Sequence, residues 1–149
     1  MSIELKNVSF SYPNGHLANE NLNLTIHDGE RVAIIGQNGA GKTTAVKLMN
    51  ALHKPTQGEV IVNGTSTRDK TCAQISSMVG YVFQNPDDQI FNTTVKDEVE
   101  FWCHYKKLSE EETEKRCKWA AELCGIECYY HFNPYEIPYS TKKFVSIAS

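Results

Sequence analysis

The stretch Gly36-Gln-Asn-Gly-Ala-Gly-Lys-Thr43 places the first chemical constraint on this chain. It satisfies G-x-x-x-x-G-K-[ST] at every fixed position. Gly36, Gly39 and Gly41 let the backbone curl without side chains, so that successive N–H groups can face phosphate oxygens. Asn38 and Ala40 add their amides to the same row. The helix that follows contributes the positive end of its dipole. Lys42 reaches the β- and γ-phosphates as a point charge, and the Thr43 hydroxyl is placed to ligate Mg²⁺. Thr44 is a further donor, placed for the α-phosphate. These residues predict a nucleoside triphosphate site. By themselves they do not separate a transport ATPase from a GTPase or a small-molecule kinase.

Such a loop needs a strand before it and a helix after it. RVAIIG, 31–36, is the predicted strand, apolar enough to be buried on both faces. The helix is predicted from Lys42 to Leu52. Alternating segments at 3–12 and 22–26 predict two more strands, and GEVIVNG at 58–64 predicts a third, closed by a hairpin-type Asn-Gly. A short helix near 72–77 leads to VGYVF, 79–83, another apolar strand. After Gln84 the pattern turns helical. Thr94 to Lys106 has apolar residues at 95, 99 and 102. Ser109 to Glu112 forms a capping box for the next helix. Glu111–Lys115, Glu112–Arg116 and Glu114–Lys118 have the spacing of helical ion pairs on a solvated face. HFNPYEIP is turn-rich, and Ser140 and Thr141 are placed to cap a terminal helix.

The chain has 149 residues, 40% of them hydrophobic, and a formal net charge of −3. That is one domain's length and ordinary globular composition. The charge excludes the basic footprint of a nucleic-acid binder. No apolar run approaches the roughly 20 residues that cross a bilayer. MSIELKNVSF has neither the basic nor the apolar region of a secretory signal. Five cysteines, an odd number, predict reduced thiols. Cys117 and Cys124 fall on the apolar stripe of a predicted helix and read as structural.

Taken in order, IELKNVSFSY, NLNLTIHDGERVAIIGQNGAGKTT, GEVIVNG and VGYVFQNP resemble the ATP-binding subunit of an ABC transporter. The resemblance runs the length of the chain. It implies an α/β fold: a P-loop NTPase with a RecA-like core, an antiparallel β subdomain and a helical subdomain, incomplete at the C-terminus. Residues 1–83 would be the first part of the nucleotide-binding core. Residues 84–149 would be the Q-loop and helical subdomain. Tyr12 stands where the family places an aromatic that stacks on adenine. Gln84 stands at the family's Q-loop, where a carboxamide reaches Mg²⁺ or the attacking water. Lys42 and Gln84 are thus the catalytic candidates, with Thr43 and Gln84 the candidates for the metal. ATP and Mg²⁺ are the implied cofactors.

FQNPDDQIFNTTVKDEVEF, 83–101, is similar to the energy-coupling-factor and cobalt/nickel importer ATPases. That likeness implies a second ATPase subunit and a transmembrane coupling subunit as partners, at the cytoplasmic face of the membrane, for transport of a vitamin or metal ion. It puts Asp87, Asp88 and Gln89 near a dimer or coupling surface, although Asn-Pro-Asp-Asp is also good turn chemistry by itself. Trp102-Cys103 departs from the group, where a Gly-containing turn is expected.

Anchored on Val145-Ser146-Ile147-Ala148, the family's L-S-G-G-Q signature falls on Ile137 to Thr141, and both glycines are replaced. The family continues with a strand ending in Asp and a Glu that polarises water, neither of which lies in these residues. The chain is therefore expected to be a fragment that binds nucleotide without hydrolysing it. A soluble P-loop ATPase outside transport is the remaining alternative.

Overall fold

The computed structural model describes residues 2–149, which divide into two compact units, one ending at Tyr81 and the other beginning at Val82.

The first unit is built on a four-stranded antiparallel sheet in the order β2-β1-β3-β4. β1 spans Ile3–Ser11, β2 Leu17–Ile26, β3 Gln57–Val62 and β4 Thr65–Ser66. In β1, Leu5 lies opposite Leu24 on one side and Val60 on the other. The buried positions are Ile3 and Leu5, then Val8 and Phe10. That change of parity coincides with register shifts against both neighbours and with Asn7 at φ 50°. A bulge inserts the extra residue and returns the apolar side chains to one face. Helix α1, Lys42–Met49, buries Leu48 and Met49 with Phe10, Val60 and Val62 of the sheet. Helix α2, Cys72–Ile75, is held by a reciprocal capping box between Thr71 and Gln74 and contributes Ile75 to the same core.

Two predicted strands are absent. Segments 31–36 and 79–83 have no sheet pairing among the described residues. Val32 and Ile34 are exposed, and Ile35 is 90% exposed. Apolar, β-branched sequence expresses a tendency to be covered, but a strand exists only where another backbone supplies its ladder.

The second unit packs three helices: α3, Val95–Tyr105; α4, Glu110–Cys124; and α5, Tyr139–Ala148. Its core joins Ile90, Val95, Val99, Cys103, Cys117, Ala121, Ile126, Ile137 and Val145. Cys103 therefore takes the stripe position that the sequence assigns to Trp102, which is half-buried. The Cys117 Sγ lies 3.9 Å from that of Cys103, and burial pushes the Cys117 thiol up to about 12. Ser109 caps α4 through the Glu112 amide, and Gly125 ends the helix in the left-handed conformation at φ 65°. Of the three predicted ion pairs on α4, Glu112–Arg116 closes, at 2.5 Å. The cap predicted for α5 does not form. The helix begins at Tyr139 with Pro138 at its cap position, so Ser140 and Thr141 lie inside the first turn. Proline's fixed φ starts the helix two residues before the hydroxyls.

Among the described residues no helix is long and apolar enough to cross a membrane.

Candidate nucleotide site

The glycine loop occupies residues 36–41, and α1 begins at Lys42. Gly41 sits at the helix N-cap with φ 77° and ψ 8°, the left-handed region, and no side chain caps the helix there. The first-turn amides of α1 thus keep their donor capacity for an outside acceptor. Gly41 meets a second demand besides its backbone angles. A Cβ there would lie 2.3 Å from the Ala18 carbonyl oxygen and 2.5 Å from Asn19 Nδ2. Gly39 is also left-handed, at φ 84°, but a Cβ there would meet open space. The loop is pressed against β2 at Gly41 and stands clear of it at Gly39.

Asn19 makes that contact specific. Its side chain is buried and donates from Nδ2 to the Gly41 carbonyl over 3.2 Å. Its Oδ1 is buried without a hydrogen-bond partner among the described residues. Sequence reading missed Asn19. It sits on a buried position of an otherwise polar stretch of β2, and a lone Asn in a strand carries no motif.

Lys42 reaches back over the loop. Its Nζ donates to the carbonyls of Gly36, at 2.9 Å, and Gln37, at 2.7 Å. Those bonds hold the ammonium above the backbone of the turn that the motif assigns to phosphate. Thr43 is exposed in the first turn of α1. Thr44 is buried, and its Oγ1 lies 3.0 Å from the Tyr12 hydroxyl. Tyr12 and Thr44, predicted separately for adenine and α-phosphate, are therefore joined. Tyr12 also stacks near-parallel on His16, centroids 6.3 Å apart, and meets Phe10 and His53 edge-on. His53 lies flat on Phe10 at 4.9 Å. Burial, aided by the charge of Lys47, holds His53 below its ordinary pKa.

Asn38 and Ala40 are exposed along the loop, with the Ala40 amide turned back to the Gln37 carbonyl at 3.2 Å. No group of three or more His, Cys, Asp or Glu among the described residues could cage a metal ion. Magnesium at a nucleotide does not need such a cage, since it takes one or two protein oxygens together with phosphates and waters. The Thr43 hydroxyl at the head of α1 fits that limited role.

Gln84 belongs to the second unit and is exposed; its carbonyl accepts a hydrogen bond from Lys143. The residues after it form a single turn of 3₁₀ helix, Pro86–Asp88, capped by Asn85 through the Asp87 amide. The turn-chemistry reading of Asn-Pro-Asp-Asp is therefore realised. Asp87 pairs with Lys142 at 2.9 Å, and Gln89 binds the Ser146 carbonyl at 2.7 Å. A cavity of about 730 Å³ opens elsewhere on this unit, among Lys96, Glu100, His104, Thr113, Lys118 and Tyr130. No predicted site residue lines it.

The sequence model of the family described as ABC transporter matches residues 19–149. The chain belongs to that family. An ABC transporter ATP-binding protein of Pyrococcus furiosus is 44% identical over 146 residues, covering 98% of this chain and 56% of that protein. The energy-coupling factor transporter ATP-binding protein EcfA of Methanothermobacter thermautotrophicus is 42% identical over 149 residues, covering 98% of this chain and 48% of that protein. CbiO1 of Clostridium perfringens, described as part of the ABC transporter complex CbiONQ, superimposes with a TM-score of 0.87 at 31% identity, covering 98% of this chain and 59% of that one. The dimeric post-hydrolysis structure of an ATP-binding cassette bound to ADP and Pi superimposes at 0.86 with 30% identity, covering 98% of this chain and 67% of that one. The fold is thus that of the P-loop ABC cassettes, and the chain spans about half the length of the curated relatives it matches.

Proposed function

We propose that this chain supplies the nucleotide-binding half-site of an ABC ATPase that drives an energy-coupling-factor type importer. The observation that carries it is the Gly41 turn. A left-handed glycine is wedged against β2, opens an uncapped helix, and is followed at once by Lys42 and Thr43.

In this reading the amides of Gly36, Asn38, Gly39 and Gly41, and that of Ala40 once it leaves the Gln37 carbonyl, bind the phosphates of ATP with the head of α1. Lys42 exchanges its two loop carbonyls for the β- and γ-oxygens. Thr43 offers its hydroxyl to Mg²⁺, which supplies charge neutralisation at the phosphates. Thr44 and Tyr12 act as a joined pair, the ring facing the base and the hydroxyls facing the α-phosphate. Gln84 is assigned by resemblance to the metal and the attacking water. EcfA and CbiO1 support the importer subtype, and the dimeric cassette supports a second ATPase subunit. A transmembrane coupling partner, and so a place at the cytoplasmic face of the membrane, follow from that subtype. The solute is a vitamin or metal ion.

The test is binding of a fluorescent ATP analogue with Mg²⁺ to the chain and to its Lys42→Ala variant. Removing a charge-assisted phosphate contact costs about 1.5–3 kcal/mol, or roughly ten- to hundredfold in affinity. Equal affinity of the two proteins overturns the reading. Phosphate release by the chain alone, measured beside the same variant, decides between a binding module and a complete ATPase.

A further inference from the structure

Of the ten residues of β2, Asn19 alone is buried, at 7% exposure, while Leu17, Leu22, Leu24 and Ile26 keep part of their surface in water. A buried strand position ordinarily takes an apolar side chain, because a buried polar atom without a partner is costly. Asn19 carries that cost, since its Oδ1 has no partner among the described residues. Its Nδ2 donates to the Gly41 carbonyl, 3.2 Å away. That carbonyl is already satisfied. It accepts from the Ala45 amide at 2.9 Å, the first rung of α1. An apolar residue at 19 would remove an orphaned oxygen and leave no carbonyl bare. Asn19 therefore calls for a reason outside stability.

The Gly41 peptide supplies one. A trans peptide unit is planar and rigid, with its C=O and its N–H on opposite sides. Here the oxygen belongs to Gly41 and the N–H to Lys42, so whatever fixes the carbonyl also aims the Lys42 amide. Lys42 is the first residue of α1, and its amide has no acceptor within the helix. The bond to Ala45 by itself leaves the peptide plane free to tilt about one contact. The second bond comes from a side chain on a paired strand, where Asn19 lies opposite Phe10 of β1. Two contacts on one oxygen hold the plane.

We propose that Asn19 is a positioning residue of the nucleotide site: by holding the Gly41 carbonyl it aims the Lys42 amide at the phosphates, at a cost in stability. This rests on the nucleotide reading above. It adds a residue that acts through Gly41 and that no motif contains.

Asn19→Leu tests it, because leucine is close to asparagine in size and has neither a donor nor an orphaned acceptor. The leucine variant of the full chain is expected to bind the fluorescent ATP analogue with Mg²⁺ about tenfold more weakly, the effect of weakening one hydrogen bond to a charged group. Its unfolding midpoint in urea is expected to equal or exceed that of the unmodified chain. A merely structural side chain does not give that combination, since stability and affinity would fall together or not at all. Asn19→Ala leaves room where leucine is crowded, and is expected to show the same loss of affinity at a temperature where it is fully folded. Affinity within about twofold of the unmodified chain in either folded variant overturns the proposal. So does a loss of stability alongside the loss of affinity in both variants, or failure of both to fold, because the role is then structural. Weaker binding by Lys42→Ala with unchanged binding by Asn19→Leu rejects this proposal and leaves the nucleotide reading standing. Equal binding by Lys42→Ala and the unmodified chain rejects the reading and the proposal together.

Discussion

At Gly41 two independent requirements meet on one residue, and they can be separated by experiment. Left-handed backbone costs a non-glycine residue about 1–2 kcal/mol. Gly39 and Gly41 share that cost, but only Gly41 has the Ala18 carbonyl 2.3 Å from where a Cβ would stand. Gly39→Ala is therefore expected to lower stability by about 1 kcal/mol, and Gly41→Ala by clearly more, because the loop must also part from β2. Chemical denaturation of the two variants checks this, and equal midpoints would refute it. The loop was legible in the sequence because its chemistry demands particular residue types at fixed spacing. Asn19 was not. What makes it matter is a carbonyl 22 residues away that only the fold brings to it.

Elements were legible where their stabilisation is local. Ser109 caps α4 through a bond within a turn, and that cap was read from the sequence; Gly125, which ends the helix, was not. Segments 31–36 and 79–83 were misread because strands depend on partners that periodicity does not contain. The start of α5 was misread because Ser and Thr are good caps only when the preceding residue has not already begun the helix. The loop before α3 shows the opposite case, a contact invisible in sequence. Glu98 is 3% exposed and its Oε2 accepts from the amides of Phe91 and Asn92 and from Asn92 Nδ2, at 3.2, 3.0 and 2.8 Å. In the sequence it is one more glutamate on a polar helix face. Each buried donor stripped of its acceptor costs about 1–3 kcal/mol. Glu98→Ala should therefore destabilise the chain by about 2–4 kcal/mol, whereas Glu98→Gln, which keeps an oxygen in place, should lose less. Unfolding followed by circular dichroism measures both. If the alanine variant unfolds at the midpoint of the unmodified chain, the loop does not depend on this carboxylate.

At the scale of the whole molecule, the two unpaired segments have a colloidal consequence. Val32, Ile34 and Ile35 are 48%, 39% and 90% exposed, three apolar β-branched side chains within four residues. Contiguous apolar surface with unpaired backbone beside it is a template for association with another chain. A net charge of only −3 over 149 residues offers little mutual repulsion. The 149-residue chain is thus expected to associate as its concentration rises. Ile35→Lys places a charge in the middle of the exposed run and sacrifices almost no packing, so its stability should remain within about 0.5 kcal/mol. The substitution should lower association at a given concentration. Light scattering over a dilution series measures this, with thermal unfolding as the control. A chain that stays monomeric throughout, or a lysine variant that associates as strongly as the unmodified protein, would show that residues 32–35 are not the adhesive surface.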